Sequence, residues 1–298
     1  MLRLIRIHIC IILICVILAA CQNAPEQLEY KNLLKNGSAE EQYEFAVKAT
    51  ENRNSKFSDE KVFNLLLSAA QKGLPRAQHE IGKCYEFRRG VSVNRVEAFK
   101  WYLKAAEQDF SEAMNEVAFA YEIGWGVPKN IQLAIKWYEK AASIGDVEAQ
   151  KSLASIYQDY DEGQNLKLAY SYYLLAAEQG DDDAQYQIGK MLYHGIGRER
   201  NRLEAVRWLQ KSALQHHEDA QFLLGRCFAL GEGVEQNYET AYFWLSIASP
   251  DYVVYGDDDE DEEWDCSEYL FYQVIGDELS EEQLDTIHDQ AFKWSMKR

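Results

Sequence analysis

At 298 residues, 47% hydrophobic and 13% aromatic, the chain can bury the core of one or two domains and is not a disordered polymer. Its 31 Lys and Arg against 49 Asp and Glu give a formal net charge of -18, an acidic surface that repels phosphate backbones and excludes general nucleic-acid binding. Four prolines and seventeen glycines exclude collagen-like and proline-rich low complexity.

The chain opens with Arg3 and Arg6, followed by an almost wholly apolar run over residues 7–20. As a helix that run rises about 21 Å, short of the roughly 30 Å hydrocarbon core, so it reads as a signal peptide rather than a stable span. Its end, Leu18-Ala19-Ala20-Cys21, resembles the bacterial lipobox. The resemblance implies cleavage after Ala20 and a diacylglyceryl group on the Cys21 thiol. Gln22 stands where an Asp would favour inner-membrane retention, so the expectation is a lipid-anchored, periplasm-facing protein, at the outer membrane rather than the inner one. Residues 21–38 are then expected to be a tether. Of the six cysteines, Cys10 and Cys15 leave with the leader and Cys21 is acylated. Cys84, Cys227 and Cys266 remain, too odd a number for a complete disulfide framework.

From residue 39 on, the chain repeats itself. Small-residue pairs end at Ala70, Ala106, Ala142, Ala177, Ala213 and Ala248, every 35 or 36 residues. Three further ladders keep the same register: Ala77, Ala113, Ala149, Ala184 and Ala220; Trp101, Trp137, Tyr172, Trp208 and Trp244; Asn94, Asn130, Asn165, Asn201 and Asn237. After each alanine of the second ladder an aliphatic residue comes at +4, a small one at +5 and usually an aromatic at +8, as in Ala77, Ile81, Gly82 and Tyr85. At 100° per residue these share one stripe, the buried face of a first helix, A. A turn such as Gly124-Trp125-Gly126-Val127 follows, where glycine supplies positive φ. The ladder Asn then suits the N-cap of a second helix, B. Its small pair lets helices approach, and its Trp or Tyr is expected to fill the space between them.

This pattern resembles the Sel1-like repeat, a relative of the tetratricopeptide repeat. The resemblance implies an all-α fold, a right-handed α/α solenoid of helix-turn-helix units. Five repeats occupy 77–249, after a degenerate first repeat over 39–76 where Ala39, Tyr43 and Val47 stand at the first-helix positions. Two departures are expected to make the array irregular: Arg88 replaces the first turn glycine, and Asp161-Glu162-Gly163 is one residue shorter. An acidic loop follows over 250–264, with Asp257 to Glu263 unbroken, and reads as solvated because it lacks the spaced ligands and glycine of a calcium loop. Residues 265–298 form a C-terminal helical cap in which Ser280 is the N-cap and Gln283 its capping-box partner.

Catalytic signatures are missing. No G-x-S-x-G, G-x-x-x-x-G-K-[ST], H-E-x-x-H or C-x-x-C occurs. Ser58-Asp59-Glu60-Lys61 fits S-x-x-K, which matters because some cysteine-rich Sel1-like relatives are linked to penicillin binding. The companion S-D-N and K-T-G motifs are absent, and Ser58 sits where an N-cap is wanted. His216-His217-Glu218-Asp219 is a poor chelating geometry on its own, and Cys84 and Cys227 read as small core residues. No cofactor and no metal is expected.

What is left for work is the face of helix A opposite the packed stripe. Position +2 reads His79, Asn115, Lys151, Tyr186, Phe222; position +6 reads Lys83, Phe119, Ser155, Lys190, Arg226. These vary between repeats, as suits an irregular partner. Resemblance to tetratricopeptide arrays puts first helices on the binding surface. The candidate partner-binding residues are therefore Tyr186, Lys190, Phe222, Arg226, Phe119 and Lys83, aromatics and cations of the kind enriched at hot spots. The expected function is an envelope lipoprotein serving as a protein-binding scaffold or adaptor without catalytic activity. An immunity-type inhibitor of a secreted toxin is the alternative, and a penicillin-interacting enzyme a third reading that the missing motifs disfavour. The anchor is testable: Cys21→Ser is expected to abolish the lipid mass increment and to release or stall the protein, whereas unchanged mass and membrane fractionation would contradict the lipobox.

Overall fold

The computed structural model describes residues 28–51, 57–159, 165–248 and 275–296. The leader with Cys21, the short turn at Asp161 to Gly163, the acidic loop and Cys266 lie outside them. The described residues are helical with no strand. Residues 28–36 form α1. There follow α2 (Ala39–Glu51), α3 (Asp59–Gln71), α4 (Pro75–Phe87), α5 (Arg95–Ala106), α6 (Ser111–Ile123) and α7 (Ile131–Ser143). Then come α8 (Val147–Asp159), α9 (Leu166–Glu178), α10 (Asp182–His194), α11 (Arg202–Leu214), α12 (Glu218–Leu230), α13 (Tyr238–Ala248) and α14 (Glu281–Ser295). The helices gather into two compact units, 1–141 and 142–298, whose boundary falls inside α7.

In the first unit α2 packs on α3, α3 on α4, α4 on α5 and α5 on α6. Residues from 28 on are no tether, because Tyr30 of α1 is buried with Ala46, Phe63, Leu65, Leu66 and Ile81. In the second unit the pairs α8–α9, α10–α11 and α12–α13 alternate with the contacts α9–α10 and α11–α12, and α14 closes against α13. The result is the all-α helix-turn-helix solenoid that the ladders require.

Each device of the repeat has a visible cause. All five ladder asparagines cap helix B: Oδ1 of Asn94, Asn130, Asn165, Asn201 and Asn237 accepts from the backbone N–H of Glu97, Leu133, Leu168, Glu204 and Thr240 at 2.8–3.3 Å. Such a cap stabilises by about 1 kcal/mol. The last helix carries the capping box, with Ser280 and Gln283 bonded in both directions. Helix A ends in a left-handed residue at Gly124, Gly195 and Gly231, and at Arg88 the same conformation persists with φ 59°. Arg89 N–H still bonds Cys84 O at 3.0 Å, as Trp125 bonds Ala120 at 2.9 Å. The irregularity expected at Arg88 therefore does not occur; the turn is kept at a local cost of ~1 kcal/mol.

Two close approaches fix how helices meet. A Cβ on Gly82 would enter the ring of Tyr102; on Gly189 it would lie 2.7 Å from Leu209 Cγ, and on Gly225 2.8 Å from Leu245 Cγ. The residue that fills the gap between A and B is thus one position beyond the Trp ladder: Tyr102, Tyr138, Tyr173, Leu209 and Leu245 are all at most 8% exposed. Trp101, Trp137, Tyr172 and Trp208 are only half-buried, which corrects the expectation that this ladder forms the core; Trp244 alone of the five is buried. Lysines instead ride on its rings, Lys104 and Lys211 each 3.9 Å from the centroids of Trp101 and Trp208.

The second approach is made by the second turn glycine. Gly90, Gly126, Gly197 and Gly233 all have positive φ, and a Cβ on each would run into the backbone carbonyl of Asp59, Arg95, Leu166 and Arg202 respectively. Those four are the first residues of α3, α5, α9 and α11. Each turn is seated on the start of the preceding second helix.

A glutamine ladder, not expected from the sequence, reinforces this joint. Buried Gln78, Gln150, Gln185 and Gln221 donate Nε2 to the carbonyls of Ala70, Ala142, Ala177 and Ala213 at 3.1–3.5 Å. Gln108, Gln179 and Gln215 in turn donate to Oε1 of Gln78, Gln150 and Gln185 at 2.7–2.9 Å. Leaving one such buried group unmade costs ~1–3 kcal/mol.

Candidate functional site

The +2 side chains of helix A do not stand free. Each is half-buried. Those whose contacts are resolved touch the residues that lead into the next helix A. His79 packs between the rings of Tyr102 and Phe110, 5.5 and 5.4 Å away. Lys151 pairs with Asp181 at 3.0 Å and Glu148 at 3.1 Å. Burial opposes its charge, but the bonds from Asp181 and Glu148 outweigh that and hold the ammonium pKa above the ordinary lysine range. Tyr186 stacks on His217 with centroids 4.7 Å apart. His217 also accepts from Ala220 N–H as the cap of α12 and reaches Asp183 at 3.2 Å. Phe222 packs against the cluster of Tyr242, Leu245, Ile275 and Ile287 that joins α13 to the C-terminal segment. The expectation that +2 points away from all packing is corrected here: Tyr186 and Phe222 serve the joints between elements as well as any partner.

At +6 only Phe119 is exposed, while Lys83, Ser155, Lys190 and Arg226 are half-buried like the +2 residues. In the first unit Phe119 is 49% exposed, and Lys83 reaches Glu80 one turn back at 2.9 Å. In the second unit Lys190 lies 5.8 Å from the Tyr186 ring, and Arg226 of α12 shares its neighbourhood with Lys190 around His194. Burial first, and then Lys190, Arg226, Arg200 and Arg202, hold the His194 imidazole below the ordinary histidine range. Arg202 lies 5.5 Å over the Tyr193 ring and bonds Glu232 at 3.0 Å, and the Tyr193 hydroxyl donates to the same carboxylate. Arg198 donates to the Tyr170 hydroxyl at 3.1 Å. The structure therefore brings Tyr186, Lys190 and Arg226 together with His194, Arg200 and Arg202, three residues that the helical wheel of helix A omits. Their one sequence signal is the basic stretch Arg198-Glu199-Arg200-Asn201-Arg202.

The remaining candidates are structural. Cys84 and Cys227 are buried, and burial pushes their thiols up to about 11 and about 12, leaving them protonated and inert at neutral pH. Ser58 is the N-cap residue of α3, with no side-chain cap bond, while the Lys61 ammonium sits 5.7 Å from Tyr30 and 5.8 Å from Phe57. His216 packs on Trp294 at 4.1 Å. Among the described residues no group of three or more His, Cys, Asp or Glu is placed to hold a metal ion. No described helix is long and apolar enough to cross a membrane.

Helix pairs of one length, joined by one turn and one cap, define an α/α repeat solenoid with a variable helix-A face. The Sel1 repeat matches residues 75–110, 111–146, 147–181, 182–217 and 218–249, and the chain belongs to the Sel1 repeat family. A Sel1 repeat protein from Oxalobacter formigenes is similar in structure, with a TM-score of 0.60 and 27% identity over 82% of this chain and 98% of that one. A protective antigen of uropathogenic Escherichia coli gives a TM-score of 0.54 at 22% identity, over 89% of this chain and 63% of its own length. An immunity protein of Pseudomonas aeruginosa reaches a TM-score of 0.41 at 21% identity, over 80% of this chain and 81% of that one, a likeness that carries nothing about function. No functionally curated protein matches the chain.

The half-buried +2 histidine, His79, gives the fold a pH dependence. His79 Nε2 is buried without a hydrogen-bond partner, and burial holds the imidazole below its ordinary value; Glu80 and Glu112 pull upward and Lys83 downward by smaller amounts. The folded state thus binds its proton less readily than the unfolded state does. Its contribution to stability is complete above about pH 6.5 and is lost as the pH falls toward the lower folded value. Denaturant midpoints at pH 7.5 and 5.5 are expected to differ less in His79→Phe than in wild type; an unchanged difference would contradict this assignment.

Proposed function

We propose that this protein is a lipid-anchored scaffold of a bacterial envelope that binds a protein partner through the helix-A face of its solenoid. The single observation that carries the reading is the contrast on helix A. The stripe facing helix B repeats from unit to unit, whereas +6 changes from Lys83 to Phe119, Ser155, Lys190 and Arg226, with Phe119 exposed and the others half-buried. A surface that varies while its support is constant is what an adaptor to one irregular partner needs, and Sel1 repeats as a fold are consistent with that role. The leader and Leu18 to Cys21 support the anchor, with Gln22 favouring the outer membrane and a periplasm-facing solenoid. The chemistry read in the site is recognition, with no catalytic role assigned to any residue.

The test is capture of a partner from envelope extract by the purified mature protein in mild detergent, read by mass spectrometry. Substituting Lys83, Phe119, Lys190 and Arg226 together with Ser is expected to abolish specific capture while leaving the helical circular dichroism intact. A quadruple variant that folds and captures the same protein equally would place binding elsewhere.

A further inference from the structure

We infer that the end of α10, the turn into α11 and Arg226 of α12 form a docking face for an acidic polypeptide segment, whose carboxylates seat among Lys190, His194, Arg200 and Arg226. This rests on the scaffold reading of the same face and names the chemistry of the partner.

Charge supplies the first argument. The chain as a whole carries -18, yet residues 190–202 hold Lys190, Arg198, Arg200 and Arg202 against Glu199 alone. Two of these cations are already engaged: Arg202 by Glu232, and Arg198 by the Tyr170 hydroxyl, with its guanidinium 5.2 Å from that ring. Lys190, Arg200 and Arg226 make no ion pair with any described carboxylate. The charged groups acting on His194, from its own helix, from the turn, from α11 and from α12, are all cations. Glu232 answers Arg202, but Lys190, Arg200 and Arg226 still repel one another across this face, and an acidic ligand relieves that repulsion. His194 and Arg200 are exposed, so a ligand reaches them without rearrangement of the fold.

The second argument is the aromatic frame. Tyr186 lies under Lys190, and Tyr193 packs edge-on against His194 with centroids 4.9 Å apart. These rings hold the cations in place, and cations fixed on a protein surface suit the carboxylates of a polypeptide. The cluster is too short to track a phosphate backbone, and the acidic remainder of the chain repels duplex nucleic acid and anionic membrane.

The experiment uses the mature protein in detergent and fluorescence anisotropy of a short fluorescein-labelled peptide of glutamates around one tryptophan. The same peptide with glutamines is the neutral control. The glutamate peptide is expected to bind and the glutamine peptide not to. Binding should weaken as salt rises from about 0.1 to 0.5 M, and Lys190→Glu with Arg226→Glu should weaken it by at least about tenfold. Should that double variant fail to fold, Arg200→Ser on the exposed turn gives the same reading, with a severalfold loss expected. Equal affinity for the glutamine peptide, or wild-type affinity in the folded charge variants, would overturn the inference. So would displacement of the peptide by duplex DNA or anionic vesicles at lower concentration than by unlabelled peptide. Capture of a partner that depends on the +6 face but not on these charges would leave the scaffold reading standing and remove only the acidic partner.

Discussion

The repeat depends on one close approach: in the four described turns the second glycine, Gly90, Gly126, Gly197 or Gly233, lies against the first carbonyl of the preceding second helix. Because φ there is positive and no Cβ fits, the turn seats in one position only, and each repeat inherits its placement from the one before. Hydrogen bonds then hold what the contact positions. The Asn backbone N–H returns to helix A, as from Asn94 to Tyr85 O at 3.0 Å, while its side chain caps helix B. The buried glutamines tie the start of α4, α8, α10 and α12 to the end of the previous B helix. Neighbour-to-neighbour coupling of this kind is how a quasi-one-dimensional array gains stability without long-range contacts.

That rigidity frees one face. The A and B helices bury Ile81, Leu153, Ile188 and Leu224 along one stripe, and the +2 residues seal the joint to the next unit. The +6 residues and the turn beyond them lie off this stripe and differ from repeat to repeat. On the second unit this surface becomes cationic in an otherwise acidic molecule. Under the proposed function, stability and recognition draw on different residues of the same helix.

Much of this is legible in the sequence because it is local. The Asn ladder predicts five N-caps and all five are made; Ser280 and Gln283 predict a capping box that is present. Local spacing fails where burial depends on a neighbour's geometry. The Trp ladder is regular, so it reads as core, yet the next position around the helix fills the gap to helix A, and Trp101, Trp137 and Trp208 lie half-buried under lysines while Trp244 alone is buried. A helical wheel of one repeat likewise leaves +2 empty, because its contacts, Phe110 or His217, belong to the following unit. The cationic cluster is assembled from three helices and a turn, so no single stretch announces it beyond the basic residues after Gly197. Arg88 shows the converse. Its residue type forecasts irregularity, and the seat of Gly90 on Asp59 holds the turn regardless.

The most direct test compares two alanine substitutions at glycines of positive φ. Gly180, at φ 99°, has nothing within 4 Å of a Cβ, whereas Gly197, at φ 70°, faces the Leu166 carbonyl. Backbone strain alone would make alanine costlier at Gly180, whose φ lies farther from the left-handed region, so a larger loss at Gly197 isolates the seat. From denaturant midpoints, Gly180→Ala is expected to cost ~1 kcal/mol, and Gly197→Ala ~1–3 kcal/mol beyond that. Equal losses in the two variants would mean that the turn does not set the placement of the repeats.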